Sequence, residues 1–149
     1  MLIDAGANLN LGNKDKMTPL YYAVHRNNRK IANILIKARA NLNLANKEGW
    51  TPISFASRWN FKELFKMLFS AGANINITDK DGLPPLYHAA RRNYKDIAIT
   101  LLNASSEVDL NIRDAENGMT LVNKAVYSNY EEIAKILIIK GCDITIPDN

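Results

Sequence analysis

The chain offers few residues of the kinds that perform chemistry. It has two histidines and one cysteine in 149 residues, and it carries no phosphate-binding glycine motif, no paired metal-ligand motif and no nucleophile elbow. His88 takes a position that is aromatic in related segments, which favours a core histidine over a base or a ligand. Glu131 and Glu132 are typical of a helix N-terminus. We therefore predict no catalytic residue, no metal, no cofactor and no enzymatic activity within these residues.

The composition is that of an ordinary globular chain. It is 47% hydrophobic and 23% charged, with a net charge of +4, which permits anionic partners without requiring them. The longest aliphatic run, residues 136–139, is far shorter than the roughly 20 residues of a membrane span. A single cysteine and the absence of a secretory signal pattern predict an intracellular, cytoplasmic protein with no membrane span.

Short segments of the sequence recur at a nearly fixed spacing. AlaAsnLeuAsnLeu begins at Ala7 and again at Ala40, and AlaAsnIleAsnIle begins at Ala73, so that the period is 33 residues. A second series has the same register: MTPLYYAV from Met17, WTPISFAS from Trp50, LPPLYHAA from Leu83 and MTLVNKAV from Met119. This self-similarity predicts a stack of repeated units, none of which can bury its apolar face alone.

Each unit contains signals for two helices. Thr18-Pro19 and Thr51-Pro52 place a capping hydroxyl and a proline where a helix begins. Asparagine is the best residue after glycine for the left-handed conformation that ends a helix. It recurs eight or nine residues after each start, at Asn27, Asn60, Asn93 and Asn129, and the second helices end at Gly72 and Gly141.

These motifs resemble the ankyrin repeat, with its T-P-L-x-x-A signature and its period of 33. The resemblance covers a single domain, residues 1–149, with a partial repeat at 1–13 and repeats at 14–46, 47–79, 80–114 and 115–149. It implies an all-α solenoid of stacked antiparallel helix pairs with projecting β-hairpin loops. The family's linking histidine after T-P-L is absent, so the hydrogen bonds between repeats must differ; the residues in its place are Tyr21, Ser54, Tyr87 and Asn123.

The resemblance also implies a concave binding groove, formed by the loop tips and the exposed ends of the first helices. The tips map to Met17, Trp50, Leu83 and Met119. These large apolar residues either form an exposed stripe or pack on neighbouring loops. The helix ends map to His25, Arg26, Arg58, Trp59, Arg91, Arg92 and Tyr127. Arginine with tryptophan and tyrosine is a combination typical of binding hot spots.

The function expected from the resemblance is a scaffold that binds an acidic protein segment with apolar anchors, as part of a longer array. Two alternatives are recognition of a phosphorylated ligand or single-stranded nucleic acid by the Trp and Arg groove, and a targeting module of an enzyme whose catalytic domain lies elsewhere.

The net charges of the four full repeats are +6, +1, 0 and −2 in chain order. The half repeat at the start lacks a polar cap, which permits self-association. Asn43 and Asn76 match the local pattern at which the hairpin asparagine is hydroxylated in some ankyrin proteins, and local hydrogen bonding that holds the hairpin is the default explanation for both.

Overall fold

The computed structural model describes residues 6–104 and 108–145. The first residues of the partial repeat, residues 105–107 of the third repeat and the last four residues lie outside this description. The described ranges contain eight helices: α1 Pro19–His25, α2 Arg29–Lys37, α3 Pro52–Arg58, α4 Lys62–Ser70, α5 Pro85–Ala90, α6 Lys95–Ala104, α7 Leu121–Tyr127 and α8 Glu131–Ile139. None of them is long and apolar enough to cross a membrane.

The helices form a two-layered stack of pairs. Each odd-numbered helix packs against the even-numbered helix that follows it, and α1, α3, α5 and α7 contact one another in order, as do α2, α4, α6 and α8. The core between successive pairs is a continuous layer of buried leucine, isoleucine and valine; Leu20, Ile53, Leu86 and Val122 contribute from the first helices, and Leu35, Leu68, Leu101 and Leu137 from the second. The all-α solenoid of stacked helix pairs that the resemblance implies is confirmed.

The first helices begin where the threonine signals lie. The side-chain oxygens of Thr18, Thr51 and Thr120 each accept a hydrogen bond from the backbone N–H three residues later. Pro84 stands at the corresponding position of α5 and makes no side-chain cap, and α5 has six residues where the other first helices have seven. A lost cap of this kind costs about 1 kcal/mol, so α5 depends more heavily on its neighbours.

Asparagines hold the loops that project from the stack. We call these loops fingers: residues 6–18, 38–51, 71–84, 108–120 and 140–145. The backbone N–H of Asn41 donates to Oδ1 of Asn10, and that of Asn74 donates to Oδ1 of Asn43, each at 2.8 Å. The backbone N–H of Asn43 donates in turn to Oδ1 of Asn41, at 2.9 Å. The fingers are therefore joined to one another by asparagine side chains, which supports the structural explanation of Asn43.

The fingers contain less β structure than the resemblance implies. In the described ranges the β pairing is an isolated antiparallel bridge between Arg113 and Thr120. In a typical finger, Oδ1 of Asn46 accepts from the backbone N–H groups of Glu48 and Trp50. Because a side chain takes donors that strand pairing would otherwise use, the finger folds as a side-chain-stabilised turn.

The asparagines expected to end the first helices do so in the left-handed conformation. The backbone φ angles are 51° at Asn27, 56° at Asn60, 58° at Asn93 and 56° at Asn129. Oδ1 of Asn60 and Oδ1 of Asn93 are buried without a hydrogen-bond partner, whereas Asn27 and Asn129 are exposed. The two inner positions therefore combine a strained backbone with an unsatisfied acceptor.

Replacing Asn60 by glycine should stabilise the fold by about 1 kcal/mol, because glycine adopts a positive φ without steric cost and removes the unpaired oxygen. Chemical denaturation would measure the change. Asn27→Gly is the matched control: its side chain is already in solvent, so its gain should be smaller. Equal gains at both positions would show that the buried oxygen contributes nothing.

Candidate binding groove

Tyrosines make the contacts between fingers and first helices in two of the repeats. Nδ2 of Asn46 donates to the hydroxyl oxygen of Tyr21 at 3.1 Å, and the hydroxyl of Tyr87 donates to Oδ2 of Asp114 at 2.9 Å. Burial raises the pKa of Tyr21 to about 12, so the phenol stays protonated. Burial alone would raise the pKa of Asp114, but hydrogen bonds from Asn117 and Tyr87 lower it. Both tyrosines stand at the position of the family's histidine and hydrogen-bond the finger that follows.

In the second repeat the contact between the first helix and the following finger is made by other residues. The Oγ of Ser54 lies in a reciprocal cap with Thr51 and hydrogen-bonds Thr51 rather than Asp79, the finger residue equivalent to Asn46. Asp79 Oδ2 instead meets Nε2 of His88 at 2.8 Å, and both side chains are only 1% exposed. Oδ1 of Asp79 accepts from the backbone N–H of Leu83. Sequence reasoning identified His88 as a core residue and missed its partner.

His88 is uncharged at neutral pH. Burial lowers its pKa to about 4 against the opposing effect of Asp79, and the positive charges of Arg58 and Arg92 lower it further. Neutral imidazole donates one N–H, which the short contact with Asp79 assigns to Nε2; Nδ1 is buried without a partner. With a fully enclosed ring committed to a carboxylate, His88 is a structural residue, as the sequence indicated.

The finger tips do not form an exposed stripe. Leu83 is only 5% exposed and belongs to the hydrophobic core; Met17, Trp50 and Met119 are half-buried. The ring of Trp50 lies 4.5 Å from the ring of His88, between centroids. Of the two alternatives left open for the tips, packing therefore accounts for Leu83 and for Trp50.

The helix ends remain accessible and lie side by side, because the first helices contact one another in order. Trp59 is 53% exposed and Tyr127 78%. His25 and Arg26 are exposed, and Arg58, Arg91 and Arg92 are half-buried. The structure thus places one row of basic and aromatic side chains along the C-terminal ends of α1, α3, α5 and α7. We call this row, with the half-buried tips Met17, Trp50 and Met119, the groove.

At the centre of the groove the side chain of Arg58 packs against two tryptophan rings. The guanidinium carbon of Arg58 lies 4.9 Å from the ring centroid of Trp50 and 5.9 Å from that of Trp59. Arg91 reaches Glu116 at 3.4 Å. Burial lowers the pKa of Arg92, and the charges of Arg58 and Arg91 add to the effect. Positive charge is therefore concentrated where α3 and α5 end.

A depression lies on the outer side of the last helix pair, where it shares Met119 and Tyr127 with the end of the groove. Its volume is about 500 Å³, and its lining includes Val126, Tyr127 and Ile138. Val126 is 63% exposed there, whereas its equivalents Val24 and Ala90 are buried by the next repeat. This depression therefore lies on the face of the last helix pair that corresponds to faces buried in earlier pairs, and it lies outside the centre of the groove.

No cluster of three potential metal ligands occurs in ranges 6–104 and 108–145.

A family model described as "Ankyrin repeats (3 copies)" matches residues 1–79 and again residues 64–148. The two matches together leave only the last residue uncovered. A comparison with curated proteins gives no match. The family match agrees with the stacked helix pairs.

Proposed function

Because the chain belongs to the ankyrin-repeat family, whose repeats are generally protein–protein interaction modules, we propose that it is a non-enzymatic scaffold that binds a partner protein in the groove. The observation that carries this proposal is the guanidinium of Arg58 lying against the rings of Trp50 and Trp59. Stacking on two rings restricts the arginine side chain before any partner arrives, which lowers the entropy lost on binding.

The chemistry of the groove favours an acidic segment with apolar anchors. Trp59 and Tyr127 present large, exposed aromatic surfaces with few rotatable bonds, and Arg58 and Arg92 supply planar donor forks for carboxylates. Lys124 lies 5.8 Å from the ring of Tyr127, so a cation accompanies an aromatic ring in the last repeat as well. A partner would therefore bring acidic and apolar side chains in alternation.

Changing Arg58, Trp59 and Arg91 together to alanine should weaken binding of a purified partner at least tenfold, equivalent to about 1.4 kcal/mol. The physical reason is the loss of two cationic forks and one aromatic anchor. The partner would be isolated with the intact chain, and its affinity for both chains measured at low and high salt. A double variant of Arg29 and Lys30, which removes two exposed basic residues of α2 and so loses the same charge, is the control for net charge. Undiminished binding by the groove variant would refute the proposal.

Single-stranded nucleic acid is the second candidate, favoured by an exposed tryptophan beside an arginine at the centre of the groove. Bases would stack on Trp59 while Arg58 and Arg92 contact phosphates. A steep fall in affinity with salt and a preference for oligonucleotides over acidic peptides would select this function. Persistence of binding after nuclease treatment would select the protein partner.

A further inference from the structure

Charged residues at several contacts between successive repeats form ion pairs. Lys62 meets Asp96 at 2.5 Å and Lys95 meets Glu132 at 3.3 Å; the others are Lys47 with Asp15, Lys80 with Glu48 and Arg91 with Glu116. Arg58 and Arg92 lie at the same kind of contact, between α3 and α5, and form no ion pair with any residue of the described ranges. The centre of the groove is therefore a place where the fold brings cations together without supplying anions.

Burial distinguishes these arginines from those that are simply solvated. Nη1 of Arg92 is shielded from solvent and has no hydrogen-bond partner, whereas Arg26, its equivalent in the first repeat, is exposed. The one buried carboxylate nearby, that of Asp79, is already occupied by His88 and by backbone N–H groups. The residues of ranges 6–104 and 108–145 thus provide no counter-charge for Arg92.

Holding the charged guanidiniums of Arg58 and Arg92 close together and partly buried costs free energy as long as no anion is bound. A guanidinium withdrawn from water loses hydration, and a second cation close by adds repulsion. The charge of Arg58 and the burial of Arg92 both act in this direction. An external anion would relieve both costs at once, and the planar donor forks of arginine match the oxygens of a phosphate in a bidentate manner.

We propose that Arg58 and Arg92 form a subsite for a phosphate monoester dianion, carried by a phosphorylated side chain of the partner protein. The charge count favours this group: two unpaired guanidiniums match the two negative charges of a monoester, whereas a carboxylate or a phosphodiester carries one. Trp59, exposed beside Arg58 at 5.9 Å, offers a surface for the residues next to the phosphorylated one. This inference rests on the proposed groove function and specifies its ligand chemistry.

The test uses N-acetyl-phosphoserine amide as the probe at pH 7.5, where the monoester is a dianion. Its binding to the intact chain would be followed through the indole N–H signals of Trp50 and Trp59 in NMR titrations. Dimethyl phosphate and N-acetyl-glutamate amide serve as singly charged comparators. We expect the phosphoserine probe to bind at least tenfold more tightly than either comparator, and Arg58→Gln or Arg92→Gln to remove that advantage.

Arg29→Gln is the control, because Arg29 is an exposed arginine of α2 that lies outside the groove. It should leave the affinity unchanged. Arg92→Lys keeps the charge and removes the fork, so it should also weaken the probe, and it replaces Arg92→Gln if that variant unfolds. Absence of saturable binding, equal binding of a comparator, or an equal loss in Arg29→Gln would overturn the subsite. Retained binding of a non-phosphorylated partner through the groove would then leave the scaffold function standing.

Discussion

Gly49→Ala should lower the free energy of unfolding by about 2–4 kcal/mol, whereas Gly82→Ala, at the same position of the next finger, should lower it by only about 1 kcal/mol. Both glycines have a positive φ, 81° and 75°, so both substitutions carry the backbone cost of placing a side chain in that conformation. A Cβ at Gly49 would in addition lie 2.7 Å from Cα of Asp79, while one at Gly82 would meet nothing within 4 Å. Chemical and thermal denaturation of the two variants would measure the difference.

The comparison isolates the contact between adjacent fingers. At Gly49 the neighbouring atoms belong to backbone, which can yield only if the next finger moves. The backbone N–H of Lys80 also donates to the carbonyl of Glu48 at 3.1 Å, so a displaced finger would lose that bond as well. Equal destabilisation in both variants would mean that the fingers move apart freely and contribute little to the stack.

Acidification should destabilise the protein by about 2–3 kcal/mol between pH 7 and pH 4.5 through His88 alone. The pKa of His88 is lowered from 6.5 to about 4 in the fold by burial, with Arg58 and Arg92 adding to the effect against Asp79. Between these two values the unfolded chain binds a proton that the folded chain does not. Stability is therefore complete above pH 6.5 and falls as the pH drops toward 4. Denaturation curves across this range would measure the loss.

The chain itself supplies the control for this prediction. The positions of Asp79 and His88 are occupied in the preceding repeat by Asn46 and Phe55. The double substitution Asp79→Asn and His88→Phe therefore rebuilds a pair already compatible with the fold, without a buried titratable group. It should retain about 2 kcal/mol more of its neutral-pH stability at pH 4.5 than the unmodified chain. An unchanged acid profile would assign the loss to other groups.

Much of the fold was predictable because its determinants are local and repeated. A threonine followed by proline caps and starts a helix, and an asparagine in the left-handed conformation ends it, as the φ values at Asn27 and Asn129 show. The abundance of asparagine also follows a local rule, since its oxygen captures a backbone N–H two residues later. Four copies of one pattern made these signals consistent with each other.

The groove was predictable in outline and not in detail. The sequence predicts that the ends of the first helices lie on one side of the stack, because equivalent positions in stacked repeats lie side by side. It gave no indication that Leu83 is buried while Trp59 is exposed, since both are apolar residues at positions expected to face a partner. Whether a finger tip is buried depends on where the neighbouring fingers and helices lie, and that is decided only when the repeats pack together.

The amino-acid sequence by itself determined that this protein is a stack of helix pairs joined by asparagine-rich fingers, and that its basic and aromatic residues share one edge. Tertiary structure alone decided which charges are compensated. Ser54 is engaged by Thr51, so Asp79 turns to His88, and Arg58 and Arg92 are left with no ion pair in the described chain. Such outcomes depend on distances of a few ångströms between individual side chains, and hydrophobic periodicity carries no information about them.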